Sequence, residues 1–278
     1  MGNIAILCQI AQTSRGGYYK WLRLSAKPEK DHKDYLLIKD IFEKSRQKSG
    51  WRRIKMNLQA RHNLIMNHKK IKRIMAKYGL TTKVRRRNPY KDIMRKTSEH
   101  RTFGNILNRK FKQLEPRRSF CSDITYLYYG CGQKAYLQAI KDIATKEIVS
   151  WELSNNLALN FVLKSIENLK DIGIFKNQSI IHSDQGAHYT SPEYISKVKD
   201  LNLVQSMSRK GSCIDNSPIE SFFGHLKDEA EYKQARTFAE LNDTMNKYMD
   251  YYNNGRYQWE IKKMTPVQYR NHLWALQT

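Results

Sequence analysis

Asp123 lies inside Asp123-Ile124-Thr125-Tyr126-Leu127, a run whose β-branched, aromatic and aliphatic residues read as a strand. A carboxylate there needs a partner, because burying it alone is costly. Two further acids stand at element boundaries. Ser179-Ile180-Ile181-His182-Ser183 reads as a short buried strand that ends as Asp184 appears, with Gln185-Gly186 turning the chain away. Glu220 opens a helix in which Ile219, Phe222, Phe223 and Leu226 recur at i, i+3, i+4 and i+7, so one face is buried and Glu220 lies beside it. Acids on three separate elements can meet only in a folded cleft, and that requirement constrains the fold more than any other feature.

Each acid also has a plainer reading. Ser217-Pro218-Ile219-Glu220 fits a capping box, and Asp184 before Gln-Gly fits an ordinary turn. Taken together, the order and spacing favour convergence. Three converging carboxylates repel one another unless a cation sits between them. Hard oxygen donors suit magnesium or manganese, and two such ions fit phosphodiester chemistry. Along the same helix Asn216, Glu220, Gly224 and Lys227 form a second stripe, where the small Gly224 would let a phosphate backbone pass close.

Charge points to the partner. The 278-residue chain carries a formal net charge of +24. Residues 1–118 hold 32 Lys and Arg against 8 Asp and Glu, whereas residues 119–278 hold 18 of each, so the whole excess precedes the acids. A basic module ahead of a neutral one suits a region that grips DNA. The four cysteines are widely spaced and read as reduced thiols, and neither His182 nor His188 has the paired cysteines of a structural zinc site. No apolar run reaches membrane-spanning length and the start lacks a basic signal region, so no membrane partner and a cytoplasmic location are expected.

In order along the chain, residues 1–30 contain a possible short helix. Leu37, Ile38, Ile41 and Phe42 keep helical spacing towards a stop at Gly50; Trp51, Ile54 and Leu58 line a second helix; Asn67 caps a third, ended by Gly79. Three short helices with a basic last member suggest a helix-turn-helix-like domain in which Arg52, Arg53, Lys69, Lys70, Lys72 and Arg73 contact DNA phosphates or groove edges. Residues 83–118, with Arg85, Arg86 and Arg87, read as a basic linker that lies along DNA and orders on binding. Three antiparallel strands over residues 120–129, 135–140 and 147–151 precede alternating helices and strands, which predicts an α/β mixed sheet flanked by helices. In the aromatic tail, Tyr257, Trp259, Tyr269 and Trp274 either stack on bases or fill a small core.

Several of these segments carry a family resemblance. Ser122-Asp123-Ile124-Thr125-Tyr126, His182-Ser183-Asp184-Gln185-Gly186 with Tyr189, Gly211-Ser212-Cys213-Ile214-Asp215-Asn216 with Glu220-Ser221-Phe222-Phe223, and Leu226-Lys227-Asp228-Glu229 form one set. Thirty-five residues separate Asp184 from Glu220, and Lys227 follows the glutamate by seven places. In these features the chain resembles a DDE-type transposase with a retroviral-integrase-like core. It is closest to the second-frame (OrfB) product of the bacterial insertion-sequence family that splits its transposase over two overlapping frames. Tyr252-Asn253-Asn254-Gly255-Arg256 and Met264-Thr265-Pro266 extend the likeness, which covers about residues 4 to 275. Departures are modest: Phe120 replaces a common tryptophan and Ser217 a common alanine.

The resemblance implies a ribonuclease-H-like mixed sheet behind a small all-α domain. It divides the chain into an N-terminal segment (1–32), a helix-turn-helix-like domain (33–82), a basic linker (83–118), a catalytic core (119–235) and a C-terminal helical segment (236–278). It implies catalysis and metal binding by Asp123, Asp184 and Glu220, and a DNA contact by Lys227. Two Mg2+ or Mn2+ ions are expected with DNA bound, and no nucleotide cofactor. The implied activity is DNA end cleavage and strand transfer on double-stranded element ends and target, by a homo-oligomer on DNA. A first-frame portion, as partner or fusion, belongs to the same expectation. The alternatives are a nuclease of the same fold without strand transfer, and a non-catalytic second-frame DNA-binding regulator.

Overall fold

The computed structural model describes residues 3–25, 31–83, 103–172, 178–209 and 212–277. The chain divides into two compact units, 1–83 and 84–278. No helix among the described residues is long and apolar enough to cross a membrane.

The first unit is helical. Two short helices, α1 (Ile4–Ile10) and α2 (Arg15–Ser25), occupy the segment where one was expected, and they leave Ile6, Ile10 and Trp21 exposed. Beyond them α3 (His32–Lys44), α4 (Trp51–His62) and α5 (His68–Lys77) share a core of Ile38, Ile41, Phe42, Ile54, Leu58, Ile71 and Ile74. Each such side chain contributes about 1.5–3 kcal/mol by leaving water. Asn63 turns left-handed (φ 50°) between α4 and α5, and Asn67 Oδ1 caps α5 by accepting from the Lys69 N–H at 2.9 Å. Gly50 is not the stop that its place after the first apolar run suggested. α3 ends at Lys44, Arg46 and Gln47 turn the chain at φ 55° and 63°, and Gly50 is instead the N-cap of α4.

A five-stranded sheet builds the second unit, in the order β3-β2-β1-β4-β5. Its first three strands, β1 (Ser119–Tyr129), β2 (Gln133–Asp142) and β3 (Ile148–Ser154), form the expected antiparallel meander. After α6 (Leu159–Glu167), β4 (Ile180–Ser183) joins β1 in parallel; α7 (Pro192–Asp200) then leads to β5 (Val204–Met207), parallel to β4. Alternation along β1 serves two cores. Phe120 faces α6 and α7 with Ile140, Val162, Ile166, Ile181 and Tyr194. Cys121, Leu127 and Tyr129 face α8 (Ser217–Glu229) and α9 (Phe238–Asp250) with Ile219, Phe222, Leu226, Leu241 and Met245. This is the mixed, helix-flanked, ribonuclease-H-like arrangement that the sequence predicted.

Two boundaries differ from expectation. Phe103 to Arg118 is not a free linker but part of the second unit. Leu107 is buried in the α8 core, Ser206 Oγ accepts from the Ile106 and Leu107 N–H groups, and Arg117 N–H donates to Asp142 Oδ2 at 2.8 Å. Residues 84–102 lie outside the described residues. The C-terminal helices belong to the same core, because α9 and the turn Tyr251–Gly255 supply Tyr248, Met249 and Tyr252 to it. Asn253 binds the backbone of β3 twice, accepting from Ile148 N–H and donating to Ile148 C=O, both at 2.9 Å. The last helix, α10 (Pro266–Ala275), starts with a capping box between Thr265 and Gln268 and reaches Glu147 through Arg270.

Candidate active site

β4 is only four residues long, and its pairing with β1 runs from Ser119 opposite Ile180 to Cys121 opposite His182. Continuing that register two places brings Asp123 level with Asp184, where β4 has just ended. Asp184 is exposed and its Oδ1 accepts from Gly186 N–H at 2.9 Å. A Cβ on Gly186 would come within 2.9 Å of that same oxygen, so a side chain there would displace the carboxylate. The turn reading of Asp184 and its place beside Asp123 therefore hold together.

Glu220 reaches the site on α8. All four apolar positions of the predicted stripe, Ile219, Phe222, Phe223 and Leu226, are buried, which fixes the roll of the helix. Its start is tied to the sheet at two points. Asn216 Nδ2 donates to Ser122 C=O at 3.2 Å, next to Asp123, and the buried Lys141 donates from Nζ to Pro218 C=O at 3.0 Å. Ser217 is already helical (φ −55°, ψ −30°) and the N-cap, Asn216, makes no side-chain cap bond, so the capping-box reading of Glu220 fails.

Electrostatics link these groups. The Asp123 carboxyl is pushed up to about 8, first by burial and then by Asp184. Ile124 N–H, which donates to its Oδ1 at 2.8 Å, opposes the shift, Glu220 adds to it, and the Lys227 charge lowers it. Asp123 therefore feels both other acids and the lysine that the sequence placed with them. Lys227 Nζ stands 4.8 Å over the Tyr126 ring, and a Cβ built on Gly224 would meet nothing within 4 Å, so that stripe of α8 is open. Among the described residues no three His, Cys, Asp or Glu side chains form a ready-made metal cage.

Sequence reasoning missed the supports. Below the acids Tyr189 donates to Gln138 Oε1 at 2.9 Å and Gln138 donates to Ser122 Oγ at 2.7 Å. His182 is a core residue, between Ser206 Oγ (2.9 Å) and Ser208 Oγ (3.1 Å), and burial lowers it to about 4, so it stays neutral. Asp215 is buried ahead of α8. Burial alone would raise it, but Arg109, the Arg209 N–H and Ser212 together hold it down at about 2. A buried lysine near a strand end and an aspartate before the Glu220 helix were the only signals in the sequence.

The expected DNA contacts of the helical unit fall into two groups. Lys69 is exposed, while the equally exposed Arg52 and Lys72 lie 5.1 and 4.9 Å over the Trp51 ring. Lys70 pairs with Asp34, Arg73 pairs with Asp31, and Arg53 donates to Lys48 C=O, so these three already serve the fold. Arg85, Arg86 and Arg87 lie outside the described residues.

Comparison with known proteins agrees with the architecture. Residues 29–88 match an HTH-like domain, and residues 113–213 and 220–273 each match an integrase core domain. An Escherichia coli (strain K12) protein named "Putative transposase InsK for insertion sequence element IS150" is 33% identical over 272 residues, covering 95% of this chain and 92% of its own. A transposase-like protein of Haemophilus influenzae is 34% identical over 225 residues, 77% of this chain and 98% of its own. Among solved structures, the HTLV-2 integrase catalytic core in complex with magnesium aligns at a TM-score of 0.45 and 15% identity, over 55% of this chain and 95% of its own. With its helix-turn-helix-like unit, its integrase core and a relative one-third identical along nearly its whole length, the chain belongs to the insertion-sequence transposases.

Proposed function

We propose that Asp123, Asp184 and Glu220 are the catalytic acids of a DDE-type transposase. They would cut phosphodiester at an element's end and transfer the freed 3′-hydroxyl onto target DNA. What supports this reading first is geometry: the β1–β4 register runs on to set Asp123 level with Asp184, and Asn216 ties the start of the Glu220 helix to Ser122 next to Asp123, while burial, Asp184 and Glu220 push the Asp123 carboxyl up. Carboxylates so placed are not all ionised at neutral pH unless a cation compensates them.

The donor set fits a hard divalent ion, Mg2+ or Mn2+, in charge and in oxygen chemistry. Water and substrate phosphate would complete the coordination beyond these carboxylates, as suits magnesium. Two such ions held by Asp123, Asp184 and Glu220 would supply activation of the attacking oxygen and neutralisation of the leaving one. The chain's own groups supply the positioning. Gly186 N–H orients Asp184, while Asn216 and Lys141 hold the start of the Glu220 helix. Lys227 would hold a DNA phosphate along the open stripe past Gly224. Cleavage and joining are both in-line displacements at phosphorus, so one set of groups serves both. Duplex DNA is the partner, gripped in part by Lys69, Arg52 and Lys72. Because two ends must be held at once, the working assembly has at least two copies.

End-labelled element DNA incubated with the protein and Mg2+ tests the reading. Cleaved and joined products are expected, abolished by chelation and by Glu220→Gln while duplex binding persists. Cleavage without joined product would mean a nuclease only, and DNA processing indifferent to Glu220→Gln would remove the acids from the chemistry.

A further inference from the structure

At the free edge of β1 lies a surface of which the chemistry above uses only Lys227. Beyond Cys121, β1 has no β4 partner in its register, and three residues past Asp123, ~10 Å along the strand, stands Tyr126, which leaves the opposite face of the strand and is met around this free edge by Lys227 of α8. Tyr126 and Tyr128 are each 52% exposed and meet edge to face at 5.5 Å. Lys134, opposite Tyr128 on β2, places Nζ 5.0 Å from the Tyr126 ring and 4.9 Å from that of Tyr136. Lys227 reaches the Tyr126 ring from α8 at 4.8 Å. Two ammonium groups from different elements thus share one ring, with a second exposed ring beside them. Glu152, the acid nearest on β3, is already engaged by Lys164 and Asn168.

We propose that Tyr126, Tyr128, Lys134 and Lys227 form a ledge that binds an unpaired stretch of DNA strand next to the scissile phosphate. Resting on the transposase reading, it adds to it the form of the substrate, an end whose strands have separated. A duplex offers phosphates and groove edges, whereas ring faces are reached only by bases out of the helix. The ammonium groups lie within about 10 Å of each other, a distance of some three stacked bases along a strand, and suit neighbouring phosphates. Tyr126 holds both cations in place and Tyr128 offers its ring to a base. Lys134 remains a cation, since its hydrogen bond to Tyr136 raises its pKa.

The test uses the full chain and two probes of arbitrary sequence, a blunt duplex and the same duplex with a short unpaired dT tail containing 2-aminopurine. Binding is measured in chelator, so its outcome does not depend on catalysis. The wild type should prefer the tailed probe and quench its fluorescence. Tyr128→Leu should lower affinity for the tailed probe about tenfold, the size of one lost base stack, and leave the blunt duplex unchanged. Lys134→Met should weaken the tailed probe and flatten its salt dependence. Equal loss on both probes, or no loss on either, would overturn the ledge. A change in oligomeric state in Tyr128→Leu with no tail preference in the wild type would do so too, marking a contact between copies. Failure of the ledge with joining intact would leave the transposase reading standing.

Discussion

The surroundings of Asp123 and those of Asp215 handle the same functional group in opposite ways. Both aspartates lie close to the start of α8 and burial acts against ionisation of both. Asp215 has Arg109 Nε at 2.6 Å and backbone and side-chain donors around it, which bring it down to about 2. Asp123 has other acids as neighbours and rises to about 8. Within one fold, an aspartate supplied with donors is held ionised, whereas one placed among acids is pushed towards its neutral form.

The largest way to break this contrast is to neutralise each side in turn. Asp123→Asn, Asp184→Asn and Glu220→Gln should each lower cleavage and joining by roughly a thousandfold or more while the protein stays folded, as product assays and circular dichroism would read. Arg109→Met should leave activity per folded molecule intact and reduce stability by about 1–2 kcal/mol in urea unfolding, because it strips a half-exposed partner from a buried carboxylate that keeps Asn105 and the Arg209 N–H as donors. If Arg109→Met removed catalysis at unchanged stability, the two regions would have to exchange roles.

A finer test uses the sign of the pH dependence, measured in chelator. Asp123 is raised in the folded state, so its contribution to stability is fully present below its ordinary value of 3.8 and is lost as pH rises to about 8. Asp215 is lowered, so its contribution is present above 3.8 and is lost as pH falls towards 2. Asp123→Asn should flatten the fall in stability between about pH 4 and pH 8, and Asp215→Asn the fall below pH 4. The smallest effect belongs to Lys227. Replacing it with Met should weaken duplex binding a few-fold and reduce the slope of log K against log salt by about 0.9, the mark of one phosphate contact.

The sequence made the acids, the strand meander and the buried stripe of α8 legible, because periodicity and element boundaries are local properties. It did not disclose how the site is supported. Lys141 binds Pro218, Asn253 clamps Ile148 and Arg109 meets Asp215, and each pair is joined only by the tertiary fold. Runs of basic residues were equally poor guides. Seen along the chain, Lys70 and Arg73 resemble Lys69 and Lys72, yet the first two face Asp34 and Asp31 and the others do not. Phe103 to Arg118 looked like a linker because charges outnumber its apolar residues, but Leu107 and Phe111 suffice to anchor it.

The seat of the Glu220 helix is finished from far downstream. Phe222 packs edge to face against Tyr252 at 4.8 Å, and α9 closes the same cluster with Leu241, Met245 and Tyr248. A nascent chain released by the ribosome before α9 would therefore carry all three acids, but with Glu220 on a helix whose apolar underside is bare and open to proteases. The Glu220 helix thus gains its full apolar seat only once α9 and Tyr252 have been made.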